Sequence, residues 1–154
     1  MALPNVGTTL IYDREPMATA SYPIANGVTV DVDDVLIGMS TGGVAGPLTN
    51  ALGTYLNFLG VLQPNGRYPL PATGDASLLT EVVVSDERIT LRDVDVTGVT
   101  GVTDHEQPVY ASDARTLTLT STNNTLVGFI QRFRSTGKAD VRLFTHDELL
   151  APRS

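Results

Sequence analysis

Five short segments of this chain have the composition of strands and turns: GVTGVTD (98–104), PVYASD (108–113), TLTLTSTNN (116–124), VGFI (127–130) and DVRLF (140–144). In the third segment, Leu117 and Leu119 alternate with threonines, which is the two-residue period of a strand buried on one face. Asn123 and Asn124 follow, and asparagine favours turns because it tolerates positive φ. These patterns predict short strands that return on one another, in a part of the chain that shows no catalytic motif.

The composition is that of one globular domain. The chain has 154 residues and a mass of 16.4 kDa, which is a usual size for a single domain. Hydrophobic residues make up 42% and charged residues 18%, so a packed core is expected rather than disorder. Cysteine is absent, which excludes disulfides and thiolate metal sites.

The net charge of −7 argues against nucleic acid as a partner, because duplex binding depends largely on neutralisation of phosphates by lysine and arginine. A local exception lies near the end of the chain, where four basic residues could share one face of a hairpin: Arg132, Arg134, Lys138 and Arg142. Such a face could bind an acidic protein or a phosphate, or it could simply be solvated.

We expect no membrane partner. The sequence has no apolar run of the roughly 18 residues that a membrane-spanning helix requires. Its first residues also lack the basic and apolar regions of a signal peptide.

Residues 1–25 differ from the rest of the chain. Pro4, Pro16 and Pro23 each remove a backbone donor and interrupt regular elements. The segment is nevertheless apolar, with large side chains at Leu3, Val6, Leu10, Ile11, Tyr12, Met17 and Tyr22. We therefore expect an extended arm over residues 1–25 and a β-rich domain over residues 26–154. The arm would bury its side chains against either its own domain or a neighbouring subunit.

Residues 26–46 predict a turn, a strand and a loop. Asn26-Gly27 is a strong turn signal, and residues 28–33 then alternate valine with threonine or aspartate. This alternation predicts a strand with one acidic, exposed face. Residues 35–37 continue as a buried segment, and residues 38–46 form a glycine-rich loop.

The best helix candidate is Pro47–Leu59. Proline suits the first helical position, and leucines and a tyrosine recur at spacings of three and four residues. Gly53 and Asn57 weaken this prediction, so a strand over residues 55–62 remains an alternative. Residues 63–75 contain three prolines and an Asn-Gly pair, which predicts a long loop.

Further strands are predicted over residues 79–84, 89–96, 126–134 and 139–144, with polar turns at 85–87 and 135–138. Thr145 and Glu148 then have the spacing of a capping box at the start of a short helical turn. The short spacing of strands and turns predicts a mainly β fold. We expect a single antiparallel β-barrel or sandwich domain with one short helix.

Gly38-Met39-Ser40-Thr41-Gly42 matches the G-x-S-x-G pattern of a hydrolase nucleophile elbow. That elbow requires a helix immediately after the serine, and the glycine-rich sequence 42–46 does not favour one. His105 and His146 could each serve as a base, but the parallel sheet that would carry an acid and a base is not predicted. A plain glycine loop is therefore the preferred interpretation, and no catalytic residue is assigned.

Asp31, Asp33 and Asp34 are the densest group of carboxylates. On a strand, Asp31 and Asp33 would share a face and could flank one divalent cation, although the EF-hand spacing is absent. A solvated face, or pairing with Arg88 or Arg92, is the alternative. His105 and His146 are far apart in a chain without cysteine, so they give no metal signature. We expect no cofactor.

From Val99 to Phe144 the order of the pieces resembles the C-terminal half of the head-decoration (capsid cement) proteins of tailed bacteriophages. The features that carry the resemblance are VTGVTD (99–104), PVYASD (108–113), the Thr/Leu alternation, the strand at Gly128 and the closing DVRLF (140–144). They cover about a third of the chain. The helix candidate over 47–59 and the N-terminal arm have no match in that family.

The resemblance implies a structural virion protein rather than an enzyme. Such a protein is made in the host cytoplasm, binds the outer surface of an assembled capsid, often as a homotrimer, and clamps neighbouring subunits of the major capsid protein. An acidic protein suits the outer surface, and an apolar arm suits a strap across a neighbour. Candidate contacts with the capsid or with another subunit are Leu3, Leu10, Ile11, Tyr12, Met17, Tyr22, Arg132 and Arg134. Two alternatives remain: a component of the tail or baseplate, and a small β-barrel enzyme.

Overall fold

Strands account for most of the ordered secondary structure in this computed structural model, which describes residues 19–63, 71–77, 80–85 and 89–150. The strands are β1 (Thr19–Pro23), β2 (Thr29–Val30), β3 (Leu36–Met39), β4 (Ala45–Pro47), β5 (Asn57–Val61), β6 (Ala72–Thr73), β7 (Glu81–Ser85), β8 (Thr90–Thr97), β9 (Pro108–Asp113), β10 (Thr116–Thr118), β11 (Thr125–Ser135) and β12 (Lys138–Leu143). The described residues also contain one short α-helix, α1 (His146–Leu150), and a 3₁₀ turn at Val102–Asp104. The predicted mainly β fold with one short helix is confirmed.

Five strands close into a barrel in the order β10-β8-β12-β11-β9. Four of the pairings are antiparallel, and β10 pairs with β8 in parallel, with Leu117 opposite Val96. The parallel pair departs from the all-antiparallel arrangement that the sequence predicts. Its reason is geometric: strand directions cannot alternate all the way around a closed ring of five, so one neighbouring pair must run the same way.

The barrel core is apolar and almost completely shielded from water. Fully buried side chains come from all five strands: Leu91, Val109, Leu117, Val127, Ile130 and Val141. The predicted alternation in β10 is only partly observed, because Thr118 is buried beside Leu117. The Thr118 hydroxyl lies 3.5 Å from the Thr97 carbonyl and 3.1 Å from the Thr120 amide, so its polar atom is satisfied.

A second sheet, in the order β4-β3-β5, packs beside the barrel. Val35, Leu36 and Ile37 are fully buried, as the sequence predicts. Several hydrogen bonds tie this part of the chain to the barrel: the Leu36 amide donates to the Ala114 carbonyl, Thr49 bridges to Asp113, and the Thr125 hydroxyl donates to the Thr49 carbonyl. The barrel and the second sheet therefore share one hydrophobic core.

The predicted helix over Pro47–Leu59 is wrong. Pro47 ends β4, residues 51–55 form turns, and β5 begins at Asn57, so the alternative of a strand is close to what the structure has. The Asn50 side chain accepts a hydrogen bond from the Leu52 amide at 3.0 Å, a local turn that competes with helix formation. Leu52 is 75% exposed, so the apolar spacing did not mark one buried face.

Residues 19–25, which the sequence analysis assigns to the N-terminal arm, lie in the domain. β1 pairs antiparallel with β7, with Tyr22 opposite Val82, and Tyr22 packs against the core. Ile24 is buried and bridges to Ala45 of β4. The other arm residues proposed as contacts lie outside the described residues: Leu3, Leu10, Ile11, Tyr12 and Met17.

Two predicted turns and the predicted start of the C-terminal helix are confirmed. Gly27 has φ 79° and Asn123 has φ 60°, both in the left-handed region that their turns require. At α1, the Thr145 amide donates to Glu148 Oε1 at 3.0 Å and the Glu148 amide donates to Thr145 Oγ1 at 3.2 Å, which is the predicted capping box. No helix within the described ranges is long and apolar enough to cross a membrane.

Replacing Ile130 by alanine should destabilise the barrel by about 2–5 kcal/mol, because it leaves a cavity in a fully buried layer. Denaturant unfolding of the purified protein measures this change. Val102→Ala is the matched control: Val102 is 73% exposed, and its truncation should change the free energy of unfolding by no more than about 0.5 kcal/mol. Equal effects of the two substitutions would contradict the assignment of Ile130 to the core.

Candidate functional site

An open groove of about 580 Å³ lies where the second sheet, the start of β11 and α1 meet. Its apolar lining comes from Met39, Leu56, Phe58, Leu126, Leu149 and Leu150. Its polar lining includes Ser40, Asn57, Asn124 and His146. Leu150 is 69% exposed, so a large apolar side chain stands open to water at the groove.

Helix α1 forms one wall of the groove, and two contacts hold it there. His146 Nδ1 lies 3.3 Å from the Phe58 carbonyl oxygen of β5, and Leu149 packs against the hydrophobic core. Arg142 of β12 also reaches the helix, with its guanidinium 3.4 Å from Glu148 Oε2. The helix is therefore attached to both the second sheet and the barrel.

A second depression, of about 330 Å³, adjoins the groove on the outside of the barrel. It is lined by Pro108, Tyr110, Leu126, Phe129 and Phe144, with Glu106 and Gly128. Leu126 lines both depressions, so the two meet at this side chain. We call this combined surface the apolar groove.

Three aromatic side chains give the barrel end of the apolar groove its shape. The Phe129 and Phe144 rings pack at a centroid distance of 5.9 Å in a tilted arrangement, and the Arg142 guanidinium lies 5.3 Å from the Phe129 centroid. Tyr110, Phe129 and Phe144 are all only partly buried. Exposed aromatic surface of this kind is typical of protein interaction sites.

The apolar groove is not predicted by the sequence patterns described above. A signal was nevertheless present in β9 and β11, which carry apolar residues on both faces, and in Phe144, which directly follows β12. Tyr110 lies between the buried Val109 and Ala111, and Phe129 lies beside the buried Ile130. In a sheet with one solvent-exposed face, the outward positions would be polar.

Ser40 lies in the turn of the β3–β4 hairpin, and its hydroxyl stabilises that turn. Ser40 Oγ accepts hydrogen bonds from the amides of Gly42 at 3.2 Å and Val44 at 3.4 Å. The predicted glycine loop is thus a hairpin in which the serine is followed by a strand, whereas a nucleophile elbow is followed by a helix. Ser40 and His146 both line the apolar groove, which the sequence did not predict.

The strand predicted over residues 28–33 is short, since β2 covers only Thr29–Val30. Asp31 and Asp33 therefore do not lie on a strand face. The Asp31 amide donates to Asp34 Oδ2 at 2.8 Å within a turn, and Asp33 lies 4.0 Å from Arg115. Partial burial raises the pKa of Asp34 above its ordinary value. Within the described ranges, no three His, Cys, Asp or Glu residues are grouped so that they could hold a metal ion.

Three of the four basic residues near the end of the chain are in contact with carboxylates. Arg134 forms two hydrogen bonds of 2.8 Å with Asp140, and Lys138 lies 3.1 Å from Asp95. Arg142 contacts Glu148, and Arg132 is exposed on β11. The predicted basic face is therefore largely neutralised by the protein's own acids. His105 is exposed beside Glu106, at 3.8 Å.

Asp140 is the most completely surrounded of these carboxylates. It is only 5% exposed and also accepts a hydrogen bond from the Asp93 amide at 2.8 Å. Burial alone would raise the pKa of Asp140, but the hydrogen bonds from Arg134 and Asp93 outweigh it and hold the pKa below the ordinary value. The Arg134–Asp140 pair joins β11 to β12, and the hydrogen bond from the Asp93 amide joins β12 to β8. Asp93 itself has φ 52°.

Comparison with protein-family models, with curated proteins and with solved structures gave no match.

Replacing Asp140 by asparagine should lower the stability at neutral pH by about 1.5–3 kcal/mol, because the Arg134 guanidinium loses its charged partner. The folded-state pKa of Asp140 is lowered, so its carboxylate stabilises the protein above the ordinary aspartate range. That stabilisation is lost as the pH falls through the folded-state pKa. Denaturant unfolding of both proteins between about pH 7 and pH 2.5 should therefore show the difference shrinking on acidification.

Gln131→Ala serves as the surface control for this pair, since Gln131 is exposed on the same strand. It should change the stability by no more than about 0.5 kcal/mol. A difference between Asp140→Asn and the unsubstituted protein that stays constant down to the lowest pH would contradict the stabilising role of the Asp140 carboxylate.

Proposed function

We propose that this chain is a structural virion protein that binds the outer surface of an assembled bacteriophage capsid and cements neighbouring subunits of the major capsid protein. The observation that carries the proposal is where the resemblance lies in the fold. Residues 99–144 supply four of the five barrel strands, β9, β10, β11 and β12. The sequence that resembles head-decoration proteins is thus a continuous structural unit rather than scattered strand and turn patterns.

The domain has an apolar surface that suits contact between copies of this chain. The apolar groove exposes Leu150 and three partly buried aromatic rings. Burial of such side chains is worth about 1.5–3 kcal/mol each when it is complete. With a net charge of −7, the chain would be repelled by packaged DNA and accommodated on the outside of a capsid.

We further propose that the functional form is a homotrimer. Each chain has short sheets with free edges, such as β1, which among the described strands pairs only with β7. A trimer presents three copies of every contact, and after the first has docked the others bind at high effective concentration. Arg132, exposed on the β11–β12 hairpin, remains a candidate contact in this proposal. Arg134 is a weaker candidate, since its guanidinium is bound to Asp140.

The test of location is fractionation of phage particles. Virions of the phage whose genome encodes this chain are disrupted, heads are separated from tails on a density gradient, and both fractions are analysed by mass spectrometry. We expect the chain in the head fraction, in many copies for each particle. Its presence in the tail fraction would replace the proposal by a tail or baseplate component, and its absence from both would overturn the virion assignment.

The test of assembly is sedimentation of the purified protein without capsids. Three chains of 16.4 kDa give a trimer of about 49 kDa, which we expect at micromolar concentration. A mass near that of one chain would contradict the homotrimer while leaving the location in the head to be decided by the fractionation.

A further inference from the structure

We propose that the apolar groove is the binding site for this chain's own N-terminal segment, residues 3–17. This inference concerns contacts within the protein and does not depend on the proposed location in a virion. Residues 1–18 lie outside the described part of the chain, which begins with β1 at Thr19.

The direction of β1 brings the preceding residues towards the groove. Traced backwards from Pro23 to Thr19, β1 runs alongside β7 from Glu81 to Ser85. β7 in turn runs antiparallel to the end of β5, since the Gln63 amide donates to the Val83 carbonyl and Leu62 bridges to Val84.

Beyond that bridge, β7 ends beside the middle of β5. A Cβ placed on Gly60 would meet the Ser85 carbonyl, so Ser85 lies against Gly60. The same direction along β5 continues to Phe58 and Asn57, and both of these line the groove. A chain that leaves Thr19 away from Pro23 therefore heads towards the apolar groove.

The length of the segment is sufficient. Eighteen extended residues span at most about 60 Å. The segment can therefore reach the groove of its own copy or that of an adjacent copy in an oligomer. Of the four residues after Leu150, only Ala151 and Pro152 are apolar, and neither is large.

The chemistry of the segment matches the surface. Its large side chains are Leu3, Val6, Leu10, Ile11, Tyr12 and Met17. They would cover aliphatic and aromatic side chains of the groove that are otherwise open to water. Pro4 and Pro16 disfavour a helix, so the segment would bind in an extended form whose backbone needs polar partners. Thr41 lines the groove and offers a hydroxyl to such a backbone, whereas the Nδ2 atoms of Asn57 and Asn124 already donate to the Met39 and Thr120 carbonyls.

The absence of cysteine allows a direct test in the full-length protein by paired cysteines. One cysteine replaces Thr9, in the middle of the segment but not one of its apolar residues, and the other replaces the exposed Leu150. Under mild oxidation we expect a disulfide between them to form at least about tenfold faster than in a control pair, because a bound segment holds the two thiols at high effective concentration. The mass of the product shows whether the segment binds its own copy or a neighbour.

The control pair is Thr9→Cys with Thr136→Cys. Thr136 is exposed in the β11–β12 turn, at the far end of an 11-residue strand from Leu126. Equal rates for the two pairs would overturn the proposal. So would rapid dimer formation by Leu150→Cys alone, which would show that the groove of a second copy covers this surface instead.

A groove variant separates specific binding from chance proximity. Leu126 is shared by both depressions, and Leu126→Asp places a charge at their junction. With folding checked by circular dichroism, and Leu126→Ala as a milder second variant, the rate of the Thr9–Leu150 disulfide should fall towards that of the control pair. An unchanged rate in both folded variants would contradict apolar binding in this groove.

Discussion

The parallel pairing of β10 with β8 closes the barrel, and the remaining structure is arranged around that closure. A ring of five strands must contain one parallel pair, and here it is formed by one of the shortest strands of the barrel, with Leu117 opposite Val96 and Thr118 opposite Thr97. The connection between β8 and β9 passes through the 3₁₀ turn at Val102–Asp104. Closure gives each of the five strands a hydrogen-bonded neighbour on both sides, although the β10–β8 contact covers only two residue pairs.

Closure of the barrel also determines where the apolar groove lies. With the interior filled by Leu117, Ile130 and Val141, the alternate residues of β9, β11 and β12 must face outwards. At Tyr110 of β9 and Phe129 of β11 these outward residues are aromatic, and Phe144 directly follows β12. The groove is the remaining uncovered apolar surface, bounded on one side by α1.

A buried ion pair also stabilises the barrel. Arg134 and Asp140 bind each other across the β11–β12 hairpin, and Asp140 also binds the Asp93 amide of β8. This arrangement fixes three neighbouring strands at one end of the barrel, away from the apolar groove at the start of β11. The opposite ends of the hairpin thus differ in character: one is held by buried charge, and the other presents apolar side chains.

Local patterns in the sequence were enough to predict the β class and the buried run at 35–37. They also predicted the turns at Gly27 and Asn123 and the capping box at Thr145 and Glu148. Each of these features depends on residues within a few positions of one another. The helix over 47–59 failed for the same reason: its apolar spacing is also compatible with a turn followed by a strand. Strand order and barrel closure determine three other features: the partners of β1 and β10, the neutralisation of Arg134 by Asp140, and the lining of one groove by Leu126, Phe58 and Leu150. Apart from the Arg134–Asp140 pair, which lies within one hairpin, those contacts join residues far apart in the chain, and no short-range periodicity encodes which strand lies next to which.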